Sequence, residues 1–162
     1  MALTITGEAA LPADRAAVWD KLNDPAVLKA CIPGCQMLER TDENAFAATV
    51  KIKVGPIAAT FKGSVNLSEL DPPNGYRISG SGEGGIAGFA KGGARVVLED
   101  VEEDRSRCIL RYDVDANVGG KIAQLGGRLI DGVAKSTAQK FFSNLTELIT
   151  AERDAAAGAS PS

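Results

Sequence analysis

The chain has 162 residues, a formal net charge of −3 and no histidine. This length fits one ordinary domain with a sizeable core, and an acidic chain lacks the basic surface that nucleic-acid binding usually needs. Histidine is the usual general base and a frequent metal ligand, so its absence excludes Ser-His, Cys-His and histidine-ligated metal mechanisms and makes a binding protein more expected than an enzyme.

Neither the start of the chain nor its cysteines indicate secretion. The first residues form no apolar leader, and no stretch reaches the ~20 apolar residues of a membrane span, so we expect a cytoplasmic protein. The three cysteines are too few for a disulfide scaffold, and we expect free thiols. Cys31 and Cys35 lack both C-x-x-C spacing and a second ligand pair, which favours small residues at a buried turn over a metal or redox site.

The N-terminal segment predicts one strand followed by two short helices. Apolar and polar residues alternate over 3–11, which is typical of a half-buried strand. Asp14 is a candidate N-cap of the first helix, and Asn23-Asp24-Pro25 ends it. The second helix is predicted from Pro25 to about Ala30.

From the Pro33-Gly34 turn onward the apolar period changes to two and persists for about 85 residues, which predicts an antiparallel meander. Predicted turns lie at Gly55-Pro56, at 71–75 and at the acidic run 99–105. The last strand has the cleanest alternation in the chain and directs Tyr112 inward.

The apolar residues from Lys121 to about Glu152 are spaced three and four apart, which predicts one long helix covering the sheet. Glycines at Gly126, Gly127 and Gly132 weaken its first half. They leave two interpretations open, close packing of the helix on a strand or a flexible portal for a ligand. The remainder, 151–162, is predicted to be a disordered tail, which leaves 1–150 as a single domain.

This order of elements predicts an α+β helix-grip fold. A curved seven-stranded antiparallel sheet surrounds a long C-terminal helix, and two short helices follow the first strand. One helix cannot fill so broad a sheet, and the available side chains are mostly small, so we predict a cavity that binds an apolar ligand. The residues predicted to line it are Phe61, Phe89, Tyr112, Val114, Ile122, Leu125, Leu129 and Val133.

Two surface features are candidate functional sites. Ile86 and Phe89 stand at the tip of a glycine-rich hairpin, where they could close over a ligand or touch a membrane. Ile86 with Gly126 and Gly127 forms the predicted portal, and ordinary hairpin packing is the alternative for the tip.

A series of basic residues forms the second feature. Lys121, Arg128 and Lys135 recur every seven residues, which places them near one face of the predicted helix. Two interpretations remain open: these residues dock on an acidic partner or on anionic lipid, or they form an ordinary solvated face.

Three segments resemble the CoxG family, the G subunits of carbon monoxide dehydrogenases, which is a START-like and birch-pollen-allergen-like branch of the SRPBCC superfamily. They are LPADRAAVWDKLNDPAVLKACIPGC, GEGGIAGFAKGGARVVLED and NVGGKIAQLGGRLIDGVAKSTAQKFFSNL. The CIPGC turn and the GGKIAQLGGRLID stretch are most similar to CoxG itself. The resemblance implies an accessory of a molybdenum hydroxylase that acts in maturation, in recruitment to the inner face of the membrane, or in electron delivery to a bound quinone or other lipid.

Three hypotheses for the function follow. The first is a noncatalytic carrier of a hydrophobic ligand, without a covalent cofactor, that serves such a hydroxylase. The second is an assembly factor that acts by protein contact through Lys121, Arg128 and Lys135. The third is a cyclase-like or hydrolase-like enzyme in which Tyr112 and Glu83 act as acid and base.

Overall fold

A computed structural model describes residues 1–159. They form seven strands and three α-helices, with short 3-10 helices at Gly85–Ala87 and Lys121–Leu125. The strands are β1 (Ala2–Leu11), β2 (Cys35–Asp42), β3 (Ala45–Val54), β4 (Ile57–Asp71), β5 (Gly75–Glu83), β6 (Phe89–Asp100) and β7 (Cys108–Gly119), and the helices are α1 (Arg15–Leu22), α2 (Pro25–Cys31) and α3 (Gly127–Ala159).

The strands form one antiparallel sheet in the order β1-β7-β6-β5-β4-β3-β2. The predicted seven-stranded helix-grip fold is therefore confirmed. Only the pairing of β1 with β7 is non-sequential, because α1 and α2 carry the chain from one edge of the sheet to the other. One face of the sheet, which we call the inner face, packs towards α3, and the other face is turned to solvent.

The two short helices begin where the capping residues predict. The Asp14 carboxylate accepts a hydrogen bond from the backbone N–H of Ala17 at 2.9 Å, and Asp24 accepts one from Ala26 at 2.9 Å. Each carboxylate satisfies an N–H group that the first turn of a helix leaves unpaired. Pro25 follows at the first position of α2, where its missing N–H has no cost.

The last helix differs from its prediction at both ends. It begins at Gly127, because Gly126 has φ +95° and interrupts the helical path after the 3-10 segment Lys121–Leu125. It continues to Ala159, beyond the predicted end near Glu152. The rest of the predicted tail, 160–162, lies outside the described residues.

The buried core divides into two clusters, and α3 contributes to both. The lower cluster joins α1, α2 and the second half of α3 to one end of the sheet, and its buried members are Leu11, Val18, Leu22, Val27, Cys31, Phe46, Leu67, Tyr76, Val96, Leu98, Cys108, Leu110, Leu145 and Ile149. The upper cluster joins the start of α3 and the 3-10 segments to the opposite end, and its buried members are Val54, Phe61, Ala87, Val118, Ile122 and Ile130.

Candidate functional site

Small residues occupy the inner face of the sheet between the two clusters. Cross-strand pairs bring them together, Gly63 with Gly82, Gly80 with Gly92, and Gly92 with Ala116. None belongs to either cluster. We call this surface the central small-residue zone, and it consists of Gly63, Gly80, Gly82, Gly92, Ala94 and Ala116.

Three glycines of this zone are required by the backbone, and at Gly80 a Cβ atom would lie 2.8 Å from the carbonyl oxygen of Ser64. A Cβ atom at Gly63 would lie 2.3 Å from the carbonyl oxygen of Ser81, and one at Gly92 would lie 2.3 Å from that of Asp115. Such a close approach of neighbouring strands is open to glycine alone. Gly82 differs, because a Cβ there would meet nothing nearer than the Lys62 carbonyl oxygen at 3.8 Å.

The zone is open to solvent as well as poor in side chains. Val65, Ala94 and Val114 point towards α3, yet each keeps partial exposure. Among the residues whose burial is described, 1–155, no charged or polar residue is buried. The inner face between the clusters is thus an apolar surface that water can reach, and we call this surface the cleft.

Of the eight predicted lining residues, six lie in one of the two clusters, against one of them, or on the inner face between them. Phe61 and Ile122 are buried in the upper cluster, and Leu125 and Val133 pack against it. Val114 lies between the clusters and Tyr112 packs against the lower one. Leu129 is 39% exposed and lies near the turn that joins β3 to β4, where a Cβ at Gly55 would come within 2.9 Å of it.

The prediction that Phe89 faces the interior is wrong. Phe89 pairs with Gly119 in the β6–β7 ladder, and its ring covers Gly119 on the outer face of the sheet. Even-numbered residues of β6, such as Val96 and Leu98, face inward, so an odd-numbered one faces outward. Phe89 is 49% exposed there.

An aromatic pair that the sequence did not reveal stands at the lower edge of the cleft. The rings of Tyr112 and Phe142 stack at 5.4 Å between centroids, with 24° between their planes. The Tyr112 hydroxyl lies over Gly7, where a Cβ atom would be only 2.3 Å from it. The FF pair near the middle of α3 is visible in the sequence, but periodicity cannot say which strand residue a helical ring meets.

Two open grooves lie on the surface of the described residues. One, of about 350 Å³, follows β1 and β7 and is lined by Thr6, Gly7, Glu8, Arg111, Tyr112 and Asp113. The other, of about 410 Å³, follows β3 and β4 and is lined by Lys51, Ile52, Lys53, Ala58, Ala59 and Thr60. Neither is an enclosed hollow between the sheet and α3.

The predicted portal residues lie at the upper end of the molecule. Ile86 is 83% exposed on the 3-10 segment Gly85–Ala87. That segment contacts Lys121–Leu125, and Gly126 follows with open space beside its Cα. Gly127 is also exposed.

The three predicted docking cations do not share a helical face. Lys121 lies in the 3-10 segment, whereas Arg128 and Lys135 lie on α3. All three are exposed, and Lys135 pairs with Asp131 one turn earlier, at 2.9 Å. A seven-residue spacing places side chains on one face only when the helix is continuous. Gly126 interrupts the helix between Lys121 and Arg128.

The acid-base pair of the enzyme hypothesis is not formed. Tyr112 is on the inner face of the sheet, whereas Glu83 is exposed on the outer face opposite Phe89 and Lys62. Among residues 1–159, no group of acidic or cysteine side chains could hold a metal ion. No helix in the same range is long and apolar enough to cross a membrane.

All three thiols are free, and Cys31 and Cys108 are buried whereas Cys35 is partly exposed. Desolvation raises the pKa of Cys31, and it also raises that of Cys35 against the opposing effects of a Met37 hydrogen bond and Lys29. Burial, with smaller contributions from Asp14 and Asp100, raises the pKa of Cys108 to about 11. Burial also raises the pKa of Tyr76.

We expect a chromogenic disulfide reagent to modify Cys35 first in the native protein, and Cys31 and Cys108 only after unfolding in urea, because the thiolate is the reactive form. The folded state keeps the Cys108 proton to higher pH than the unfolded state, so stability should fall as pH rises from about 9 towards 11. Native-state labelling of all three thiols at one rate would contradict this expectation.

Comparisons with known proteins agree with this architecture. A family model described as CoxG, the G subunit of carbon monoxide dehydrogenase, matches residues 7–150. Among solved structures, the chain is similar to a conserved protein from Geobacillus kaustophilus, with 31% sequence identity and a TM-score of 0.85 over 91% of this chain and 95% of that one. The chain matches no curated protein.

More distant structures share the fold alone. A START superfamily protein from Mycobacterium smegmatis is 12% identical, with a TM-score of 0.67 over 91% of this chain and 97% of that one. The Zhui aromatase/cyclase from Streptomyces sp. R1128 is 13% identical, with a TM-score of 0.65 over 99% of this chain and 100% of that one. One fold can host unrelated activities, so these likenesses assign no chemistry.

Proposed function

This chain belongs to the CoxG family of carbon monoxide dehydrogenase G subunits, and we propose that it binds a hydrophobic small molecule as an accessory of a molybdenum-containing dehydrogenase of that type. The observation that carries the proposal is the central small-residue zone, which leaves an apolar cleft between two packed clusters. An apolar surface that protein side chains do not cover is stabilised by a ligand that covers it.

Burial of the ligand's apolar surface is favourable enough to give useful affinity. A ligand that loses about 300 Å² of apolar surface on binding gains about 7.5 kcal/mol, from which the cost of immobilising it must be subtracted. Among residues 1–155, no charged side chain is buried where it could pair with a charged ligand. We therefore expect an uncharged, lipid-like ligand.

Within that class we propose a quinone. The glycines at the centre of the cleft present a flat surface of backbone, against which a planar ring can lie closely. Tyr112 and Phe142 add a stacked aromatic wall, and the Tyr112 hydroxyl can donate a hydrogen bond to a quinone carbonyl. A bound quinone could accept electrons from the dehydrogenase, with the carrier working in the cytoplasm or at the inner face of the membrane.

The test is to identify what the purified full chain carries. Native mass spectrometry followed by solvent extraction should give one apolar molecule per chain, released together with unfolding. Titration with decylubiquinone, followed by quenching of Trp19 fluorescence, should saturate. Decanol is the matched probe, because it offers an alkyl chain without the ring.

The outcomes separate the two levels of the proposal. Equal binding of decanol and decylubiquinone would contradict the proposal of a quinone and would still support a lipid-like ligand. A chain that carries nothing after gentle purification and binds neither probe would overturn the carrier function itself.

A further inference from the structure

The groove on β3 and β4 is positively charged, although the chain as a whole is acidic. Lys51 and Lys53 stand along one side of it, and the small residues Ala58 and Thr60 stand opposite them in register. Lys62, the next outward residue of β4, extends the positive surface at one end. All three lysines are exposed on the outer face, away from the apolar cleft.

These lysines have no partners within the described part of the chain. The ion pairs formed by residues 1–159 involve none of the three. Glu83 stands opposite Lys62 in register but forms no ion pair with it. Lys51 and Lys53 stand next to each other on one face of β3, and an anion that lies along them would offset their mutual repulsion.

The spacing of the charges matches an extended chain. Lys51 and Lys53 are two residues apart on one strand, which separates their side chains by about 6.6 Å on the same face. Carboxylates at alternate positions of an extended segment have the same spacing. Small residues along the other side leave room for a backbone between the lysines and β4.

We propose that this lysine groove, formed by Lys51, Lys53 and Lys62, docks an extended acidic segment of a partner protein. A lipid surface fits less well, because the groove lining exposes no large apolar side chain that could insert between lipids. The inference is independent of the ligand in the cleft, which lies on the other face of the sheet.

The experiment uses the full chain and a synthetic peptide with glutamate at every second position and threonine between. Backbone amide NMR should show shifts concentrated at Lys51, Lys53, Thr60 and Lys62, and rising salt should weaken them. A peptide of the same composition with its glutamates contiguous should bind less tightly. The triple variant K51E/K53E/K62E should bind the alternating peptide at least about tenfold more weakly.

The matched control is K121E/R128E, which reverses exposed cations outside the groove and should leave peptide binding unchanged. K51Q/K53Q/K62Q separates charge from fold and should also lose the peptide, with unchanged circular dichroism. The ligand extracted from the triple variant should match that of the parent chain. Equal loss in the control, indifference to glutamate spacing, or binding to anionic vesicles without binding to the peptide would overturn the proposal.

Discussion

Gly82→Leu is expected to abolish ligand retention while leaving the fold intact. Gly82 faces the interior at the upper side of the central small-residue zone, and a Cβ there would find its nearest neighbour at 3.8 Å. The leucine side chain would therefore occupy the space proposed for the ligand without displacing a strand. Apparent affinity for decylubiquinone should fall at least about 100-fold, equivalent to about 2.7 kcal/mol.

The stability of Gly82→Leu should stay equal or rise by about 0.5–1 kcal/mol, because glycine is unfavourable within a strand. Urea unfolding measures this, and mass spectrometry of the extract measures the ligand. Two further leucine variants serve as comparisons. Gly132→Leu makes the same change at an exposed helical position with nothing within 4 Å and should retain the ligand.

Gly63→Leu is the opposite comparison, because its Cβ would lie 2.3 Å from the Ser81 carbonyl oxygen. It should lose the fold together with the ligand. If Gly82→Leu keeps native affinity, the ligand, should one be found, does not lie in the central small-residue zone.

Gly34→Ala should destabilise the protein by about 3 kcal/mol, a large part of the typical stability of a single domain. Gly34 lies in the left-handed region at φ +76°, and a Cβ there would approach the Lys51 carbonyl oxygen to 2.2 Å. The turn also accepts a hydrogen bond from the backbone N–H of Lys51 at 2.9 Å. An alanine must therefore adopt a strained backbone and push the turn away from β3.

Gly126→Ala separates the two causes. Gly126 also has positive φ, at +95°, but nothing lies within 4 Å of the position its Cβ would take. Its substitution should cost about 1–2 kcal/mol, from backbone strain alone. Thermal unfolding should show Gly34→Ala lower in Tm by about 6–12 °C than the parent chain. Equal destabilisation in the two variants would show that crowding against Lys51 contributes nothing.

Local signals are sufficient for most of the fold. Asp14 and Asp24 cap the helices that they are predicted to cap, because capping depends on residues only two or three positions apart. Alternation assigns the inner faces of β4 and β7 correctly, since a strand directs side chains by parity alone.

The prediction for Phe89 fails because it assumes that a large apolar side chain must face inward. The sequence alternation of β6 already places even-numbered residues such as Val96 and Leu98 inward, so Phe89 must face outward. The prediction for Lys121 fails because apolar spacing continues across Gly126, where the backbone leaves the helix. In both cases the contradicting information is present in the sequence.

The sequence by itself determined the order of the elements, the caps of the two short helices and the side of the sheet on which most strand residues stand, since all of these depend on neighbours along the chain. Only the tertiary structure decided that small residues of β4, β5, β6 and β7 meet in one zone, that Phe142 stacks on Tyr112, and that Lys62 joins Lys51 and Lys53 on one surface. These features depend on cross-strand register and on where α3 crosses the sheet. Contacts between residues distant in sequence set both, and no local pattern encodes them.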